Sequence, residues 1–356
     1  MSKIKVLIVD DSAFMRKAIE SMLNGEPDIE IVGFGANGED AVKMTAKLRP
    51  DVITLDVEMP KMNGLQALEI IMKDTPTPVI MVSSLTQEGA DTTLKALDMG
   101  AVDFIPKEKS YGSVGILKIS NELKSKVRKF AGDKSILRRI SSHRTPIRPS
   151  TTASTPVAST ATKTSTRAGF KKIVALGTST GGPQSLQRVI PLLPADLGVP
   201  VLIVQHMPPS FTASLAARLN SLSKVTVVEA QGGEVVQPNW VYIAKGGKQM
   251  VIKRGGVIEL KPEDNALLHN PCVDVMVASV AEVYGKDALG VIMTGMGNDG
   301  TKGLTELKKK GGLIVSQDEA SCIVYGMPRA VVEAGIADDI VPLDEIAKRI
   351  EYHCKG

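Results

Sequence analysis

Three short apolar runs in the C-terminal half each lead into a side chain that can do chemistry. IVALGTSTGGP puts Ser179 in a glycine-rich turn, VLIVQHMPP brings His206, and ALGVIMTGMGNDGT brings Asp299. A serine hydroxyl needs a base to become a nucleophile at neutral pH; the base should titrate near 7, and a carboxylate should fix its tautomer. Ser179, His206 and Asp299 supply those three chemistries, but they lie so far apart in the chain that only a fold can assemble them. Read singly, each has a plainer role. The turn around Ser179 could cradle an anion on backbone N–H groups at a helix start, although its glycines follow neither GxGxxG nor GxxxxGK[ST] spacing. His206 could be a structural hydrogen-bonder, and Asp299 a cap for a helix near Thr301. Cys272 and Cys322 are weaker nucleophile candidates, because neither follows a strand into a glycine turn and helix.

A second constellation lies in the N-terminal third. Asp10 and Asp11 follow one apolar run, Asp56 ends another, Ser83 and Ser84 end a third, and Lys107 follows a fourth. Three carboxylates at one mouth repel each other, which a hard cation such as Mg²⁺ relieves by taking their oxygens as ligands. A carboxylate beside that metal, with an ammonium and a hydroxyl at hand, is suited to accept a phosphoryl group. The plainer reading makes each acid a helix cap; the recurrence of such residues at one strand end after another favours a site.

Both sets need parallel strands to carry them. Apolar runs at Lys5–Val9, Ile29–Phe34, Val52–Leu55, Val79–Val82 and Asp103–Ile105 alternate with helical patterns starting at Ser12, Gly38, Gly64, Glu88 and Val114. These five βα units predict a doubly wound parallel sheet with functional groups outside the carboxyl ends of its strands. From residue 169 the alternation resumes, with Lys172–Leu176, Val201–Gln205, Leu289–Thr294 and Gly312–Ser316 as parallel strands of a second doubly wound α/β domain. Val225–Glu229, Trp240–Ala244, Met250–Arg254 and Val257–Lys261 read as an inserted hairpin or meander.

A chain of 356 residues fits two such domains. Between them, 17 of the 28 residues from Ser141 to Ala168 are Ser, Thr or Pro, and residues 131–168 are expected to be a linker. As a flexible coil, that Ser/Thr/Pro-rich stretch would span about 30 Å. The net charge of +4 hints at nucleic acid until it is divided along the chain. Residues 1–130 hold 17 basic against 19 acidic side chains, 131–168 hold 7 against 1, and 169–356 hold 19 against 19. The excess is confined to the middle segment, and no basic patch is interleaved with aromatics, so a polynucleotide partner is not expected. The run Val6–Val9 is too short for a signal-peptide core, no run approaches a bilayer span, and the three cysteines lack metal spacing. A cytoplasmic protein without membrane insertion is expected.

Over residues 3–130 the sequence closely resembles a two-component receiver domain, on VLIVDDS, VITLDVEMP, MVSS and DFIPK. The resemblance implies a flavodoxin-like domain over 1–130 that holds Mg²⁺ on Asp10, Asp11, Asp56 and the Glu58 carbonyl. It implies that Asp56 accepts the phosphoryl group and that Ser83, Phe104 and Lys107 form the switch. Glu108 follows Lys107 where receivers carry proline. Residues 171–350 look like the catalytic domain of the CheB methylesterase family, on GTSTGGP, QHMPPSFTASLAARLN, YIAKGG, NPCVDVM, TGMGNDGTKG and EASCIVYGMP in that order. That resemblance implies a triad of Ser179, His206 and Asp299 in a domain over 169–356, flanked by Thr180 and by Met296, whose N–H would meet an oxyanion. It also implies demethylation of glutamate methyl esters on chemoreceptors with release of methanol, deamidation of receptor glutamines, and phosphorylation by a chemotaxis histidine kinase. The ester step would need no cofactor. In the family the unphosphorylated receiver is held over the catalytic mouth. The rival readings are a receiver-regulated binding module without hydrolase activity, a transcription factor and a general esterase.

Overall fold

The computed structural model describes residues 3–107, 113–131, 134–144 and 171–355. The first unit alternates β1 (Ile4–Val9), α1 (Ala13–Leu23), β2 (Ile29–Gly35), α2 (Gly38–Leu48), β3 (Val52–Asp56) and α3 (Gly64–Asp74). It continues with β4 (Val79–Ser84), α4 (Gln87–Met99), β5 (Asp103–Lys107) and α5 (Ser113–Phe130). The strands pair in parallel in the order β2-β1-β3-β4-β5. Val6, Leu7, Ile8 and Val9 of β1 are all fully buried, because a strand covered by helices on both faces is apolar at consecutive positions. Helix starts are set locally: the Ser12 hydroxyl accepts from Met15 N–H at 3.3 Å to cap α1, and Thr86 caps α4 through Gly89 N–H at 3.0 Å. Strand order reverses between β1 and β3, and the crevice beyond those two strand ends is where Asp10, Asp11 and Asp56 meet.

The segment expected as a linker begins with a helix instead, α6 (Lys134–Arg144). Ile136 and Ile140, one helical turn apart, are buried in a cluster with Phe130, Ile323 and Val324. Composition averaged over 131–168 hides this narrow apolar stripe inside a basic stretch. The rest of the expected linker, residues 145–168, lies outside the described residues.

The second unit runs β6 (Ile173–Thr178), α7 (Gly182–Val189), β7 (Val201–Gln205), α8 (Phe211–Leu222), β8 (Thr226–Glu229), β9 (Trp240–Ile243), β10 (Gln249–Lys253) and β11 (Val257–Lys261). Then follow α9 (Val273–Tyr284), β12 (Ala288–Ile292), α10 (Thr301–Lys309), β13 (Leu313–Gln317), α11 (Met327–Glu333), β14 (Asp339–Val341) and α12 (Leu343–Lys355). Seven strands make one parallel sheet in the order β14-β13-β12-β6-β7-β9-β8. The expected insertion is only half correct. Strands β10 and β11 form an antiparallel hairpin, but β8 and β9 are parallel members of the main sheet.

Residues 230–239 carry the chain back between β8 and β9 without a helix, held to the hairpin by Gly233 N–H to Ile258 O and Val236 N–H to Gly256 O, both 2.8 Å. The hairpin covers the sheet where a crossover helix would otherwise lie, and short strands carry no sequence signal of their direction. The three-residue β14 has too few positions to show a pattern. Strand addition reverses around β6, with β7 on one side and β12 on the other, so the segments after those three strands gather at one edge. Among the described residues no helix is long and apolar enough to cross a membrane.

Candidate active site

At the crevice of the first sheet, Lys107 reaches Asp10 at 2.8 Å and Asp56 at 2.7 Å. Carboxylate oxygens of Asp10, Asp11 and Asp56 lie within 4.8 Å of one another; the first and last are buried, and Asp11 is exposed. Burial and the charge of Asp10 push Asp56 up to about 6 against the pull of Lys107. Burial works against the Lys107 ammonium too, yet its two carboxylate partners hold it above its ordinary range. Glu58 N–H donates to Asp56 at 3.3 Å, which keeps the Glu58 main chain against the cluster. Oxygen donors around one point with negative charge left over fit a hard divalent cation. Ser83 is fully buried at the next strand end and gives its hydroxyl to Gly89 O at 3.1 Å. Glu108 lies outside the described residues.

The second sheet brings its three expected residues to one edge. Gly181 adopts φ +76° in the turn after β6, and a side chain on Gly182 would begin 1.9 Å from Gln205 Oε1, so both glycines are required for the chain to fold back here. The turn leaves Ser179 half-buried, with its N–H on Thr294 O at 3.0 Å. Gln205, a buried polar residue at the end of β7, donates to Ser179 O at 3.0 Å and to His206 O at 3.1 Å, tying the two segments together. His206 Nε2 meets Asp299 Oδ2 at 2.7 Å, while Nδ1 is buried without a hydrogen-bond partner among the described residues.

Asp299 does more than hold His206. Its carboxylate sits on the N-terminus of α9, accepting from Val273 N–H at 2.7 Å and Asp274 N–H at 2.9 Å. Cys272 Sγ adds a third contact at 3.1 Å. Burial pushes Asp299 up, but His206 and the helix N–H groups outweigh it and hold the carboxyl well below its ordinary range. Burial and the Asp299 charge push the Cys272 thiol up to about 12, so it stays a donor and cannot serve as a nucleophile at neutral pH. Burial raises Cys322 as well. His269 stacks on His206, with ring centroids 3.8 Å apart and 15° between planes.

The first unit covers this edge of the second. Phe104 of β5 stacks on Phe211 of α8 at 4.6 Å and 4°. Thr180, the neighbour of Ser179, donates to Asp103 at 3.0 Å, and the same carboxylate oxygen takes the buried Lys126 at 3.1 Å. Burial works against the Lys126 charge, but Asp103 and Glu122 more than compensate and raise it. Ser125 of α5 donates to Met296 Sδ at 3.0 Å, and Gln184 of α7 donates to Leu97 O and Ala101 O at 3.0 and 3.2 Å. Asp98 takes Gln187 at 2.9 Å and also pairs with Arg218.

His269, Asp103 and Lys126 carry no local sequence signal of a role at this site, and Gln205 carries a slight one, as a polar side chain closing an apolar strand.

An acidic crevice stapled by one lysine, joined to a parallel-sheet domain that groups Ser, His and Asp, defines a response regulator with an α/β effector domain of hydrolase type. Residues 6–113 match the response regulator receiver domain and residues 174–350 match CheB methylesterase. The chain is 46% identical to the protein-glutamate methylesterase/protein-glutamine glutaminase of Pyrococcus horikoshii, over 98% of this chain and 93% of that protein. It is also 46% identical to the protein of the same name from Bacillus licheniformis, over 99% of each. The crystal structure of the Thermotoga maritima CheB methylesterase catalytic domain matches with 44% identity and a TM-score of 0.50, covering 51% of this chain and 98% of that one. This chain belongs to the CheB methylesterase family.

Proposed function

We propose that this chain is a phosphorylation-activated serine hydrolase that demethylates glutamate methyl esters on chemoreceptors and deamidates receptor glutamines. The observation that carries the reading is the geometry of His206: Asp299 holds Nε2, and the buried, unpartnered Nδ1 lies on the segment tied to Ser179. With Nε2–H donated to Asp299, Nδ1 holds the lone pair. It takes the Ser179 proton as Oγ bonds to the γ-carbonyl carbon of the ester. The Met296 N–H, which has no acceptor among the described residues, would meet the oxyanion, with Thr180 beside it. Cleavage of the ester C–O bond returns that proton to the leaving oxygen, giving methanol and an acyl-enzyme. Water activated by Nδ1 then releases the glutamate carboxylate, and a glutamine substrate would lose ammonia instead. These steps draw on side-chain and main-chain groups alone.

In the receiver, over residues 1–130, Asp10, Asp11, Asp56 and the Glu58 carbonyl would hold Mg²⁺, which when bound supplies charge neutralisation for phosphoryl oxygens. Asp56 is the phosphoacceptor, a chemotaxis histidine kinase the donor, and Ser83, Phe104 and Lys107 the switch. The contacts from Asp103 and Ser125 to Thr180 and Met296 support a receiver that restrains the catalytic domain, over 169–356, until it is phosphorylated. Phosphorylation replaces the −1 carboxylate of Asp56 with an acyl phosphate of about −2, and that added charge must favour the undocked arrangement to relieve the restraint. Receptor helices and kinase would both be met in the cytoplasm.

The test is methanol release from methyl-labelled receptor membranes, for wild type and Ser179→Ala, with and without a small phosphodonor and Mg²⁺. Release should rise with the phosphodonor and fall by about 10³-fold or more in the variant. Wild-type protein that binds the membranes but never releases methanol would overturn the reading in favour of a binding module.

A further inference from the structure

The Asp299 bond fixes only one edge of the His206 ring. A single hydrogen bond at Nε2 leaves the imidazole free to rock about that contact, which would swing Nδ1 away from the line of attack. His269 removes that freedom: its ring lies against the face of His206 at 3.8 Å, within 15° of parallel. The loop that carries it is itself held. Gln249, buried at the start of β10, donates to His269 O at 2.9 Å and to Asn270 Oδ1 at 2.6 Å, and it accepts from Cys272 N–H at 2.9 Å. Gly247 N–H donates to Asn270 O at 3.0 Å. The segment between β11 and α9 is therefore clamped directly before the helix whose N-terminus receives Asp299. One short stretch thus supplies the face contact to the imidazole and anchors the carboxylate that makes its edge contact.

We propose that His269 is a positioning residue for the hydrolase reaction, acting through His206 by presenting a flat aromatic face. The inference rests on the proposed role of His206 as the base. The ring's own nitrogens are not required for this task, so another aromatic of similar width should replace it. An aromatic face also lies favourably against a neighbour that becomes cationic as it takes the serine proton.

The experiment uses the full-length protein with phosphodonor and Mg²⁺, measuring kcat and KM for methanol release in wild type, His269→Ala, His269→Phe and Ser179→Ala, with thermal unfolding of each. His269→Ala should lower kcat about tenfold with KM little changed, whereas His269→Phe should stay within about threefold of wild type. An alanine variant with wild-type kcat overturns the proposal, and so does one that changes KM alone, which would make His269 a substrate contact. A folded phenylalanine variant as slow as the alanine one also overturns it. If the alanine variant does not fold, the phenylalanine variant decides by the same threefold limit. Hydrolysis that survives Ser179→Ala would instead bring down the functional reading beneath it.

Discussion

Asp56 and Asp299 occupy comparable places, each lying just beyond the carboxyl ends of a parallel sheet, beside the point where strand order reverses, and each largely buried. Their surroundings drive them in opposite directions. Asp56 shares its crevice with two other carboxylates and one ammonium, and burial leaves it pushed up to about 6. Asp299 has no carboxylate bonded to it; it receives an imidazole, two helix N–H groups and a thiol, and is held low. Burial by itself therefore does not set the state of a buried acid; the number and charge of the donors that replace water do. The difference suits the two tasks. A site proposed to take up a cation and a phosphoryl group retains uncompensated charge, while one proposed to hold a histidine still is satisfied in advance.

Replacing Asp299 tests the satisfied side most severely. Asp299→Asn should lower ester hydrolysis by about 10³-fold or more, since the amide cannot support the cationic imidazole. Wild-type Asp299 ionises below its ordinary range in the folded state, so its contribution to stability is present above that range and fades as the pH falls through the folded value. Acid unfolding of the asparagine variant should therefore depend less on pH. A rate loss below tenfold would reduce Asp299 to a helix cap.

Asp56→Asn tests the frustrated side. Basal hydrolysis should stay within about twofold of wild type because, among the described residues, the Asp56 side chain bonds only within its own unit, to Lys107 and Glu58, while stimulation by the phosphodonor disappears. Mg²⁺ at about ten times its Kd should stabilise the wild type by about 1.4 kcal/mol and the variant by less. Equal stabilisation of both would place the cation elsewhere.

Cys272 offers a gentler probe of the donors around Asp299. Cys272→Ala should slow turnover about fivefold and Cys272→Ser should restore most of it, the loss being that of one modest hydrogen bond. The smallest effect is expected where the two units touch. Asp98→Ala removes the partner of Arg218 and Gln187, and unphosphorylated hydrolysis should rise about two- to fivefold, in keeping with a half-exposed ion pair. An unchanged basal rate would mean that the docked arrangement is held by Phe104 and Thr180 rather than by this contact.

Much of the architecture is legible in the sequence. Apolar runs at consecutive positions mark strands buried on both faces, and the residues at their ends mark both candidate sites. The direction of β8 and β9 was not readable, because a four-residue strand looks the same in either orientation and the covering hairpin comes later in the chain. Helix α6 was concealed because its apolar stripe is two isoleucines wide.

Within the candidate catalytic site, the types of Ser179, His206 and Asp299 and the strands that carry them are determined by local sequence. Which nitrogen of His206 faces Asp299 was decided by the fold. So were the seating of Asp299 on α9, the stacking of His269 and the capture of Thr180 by Asp103. Each of those contacts joins segments separated by dozens of residues. Local pattern determines which side chain a strand end presents; only packing of one element against another determines what that side chain meets.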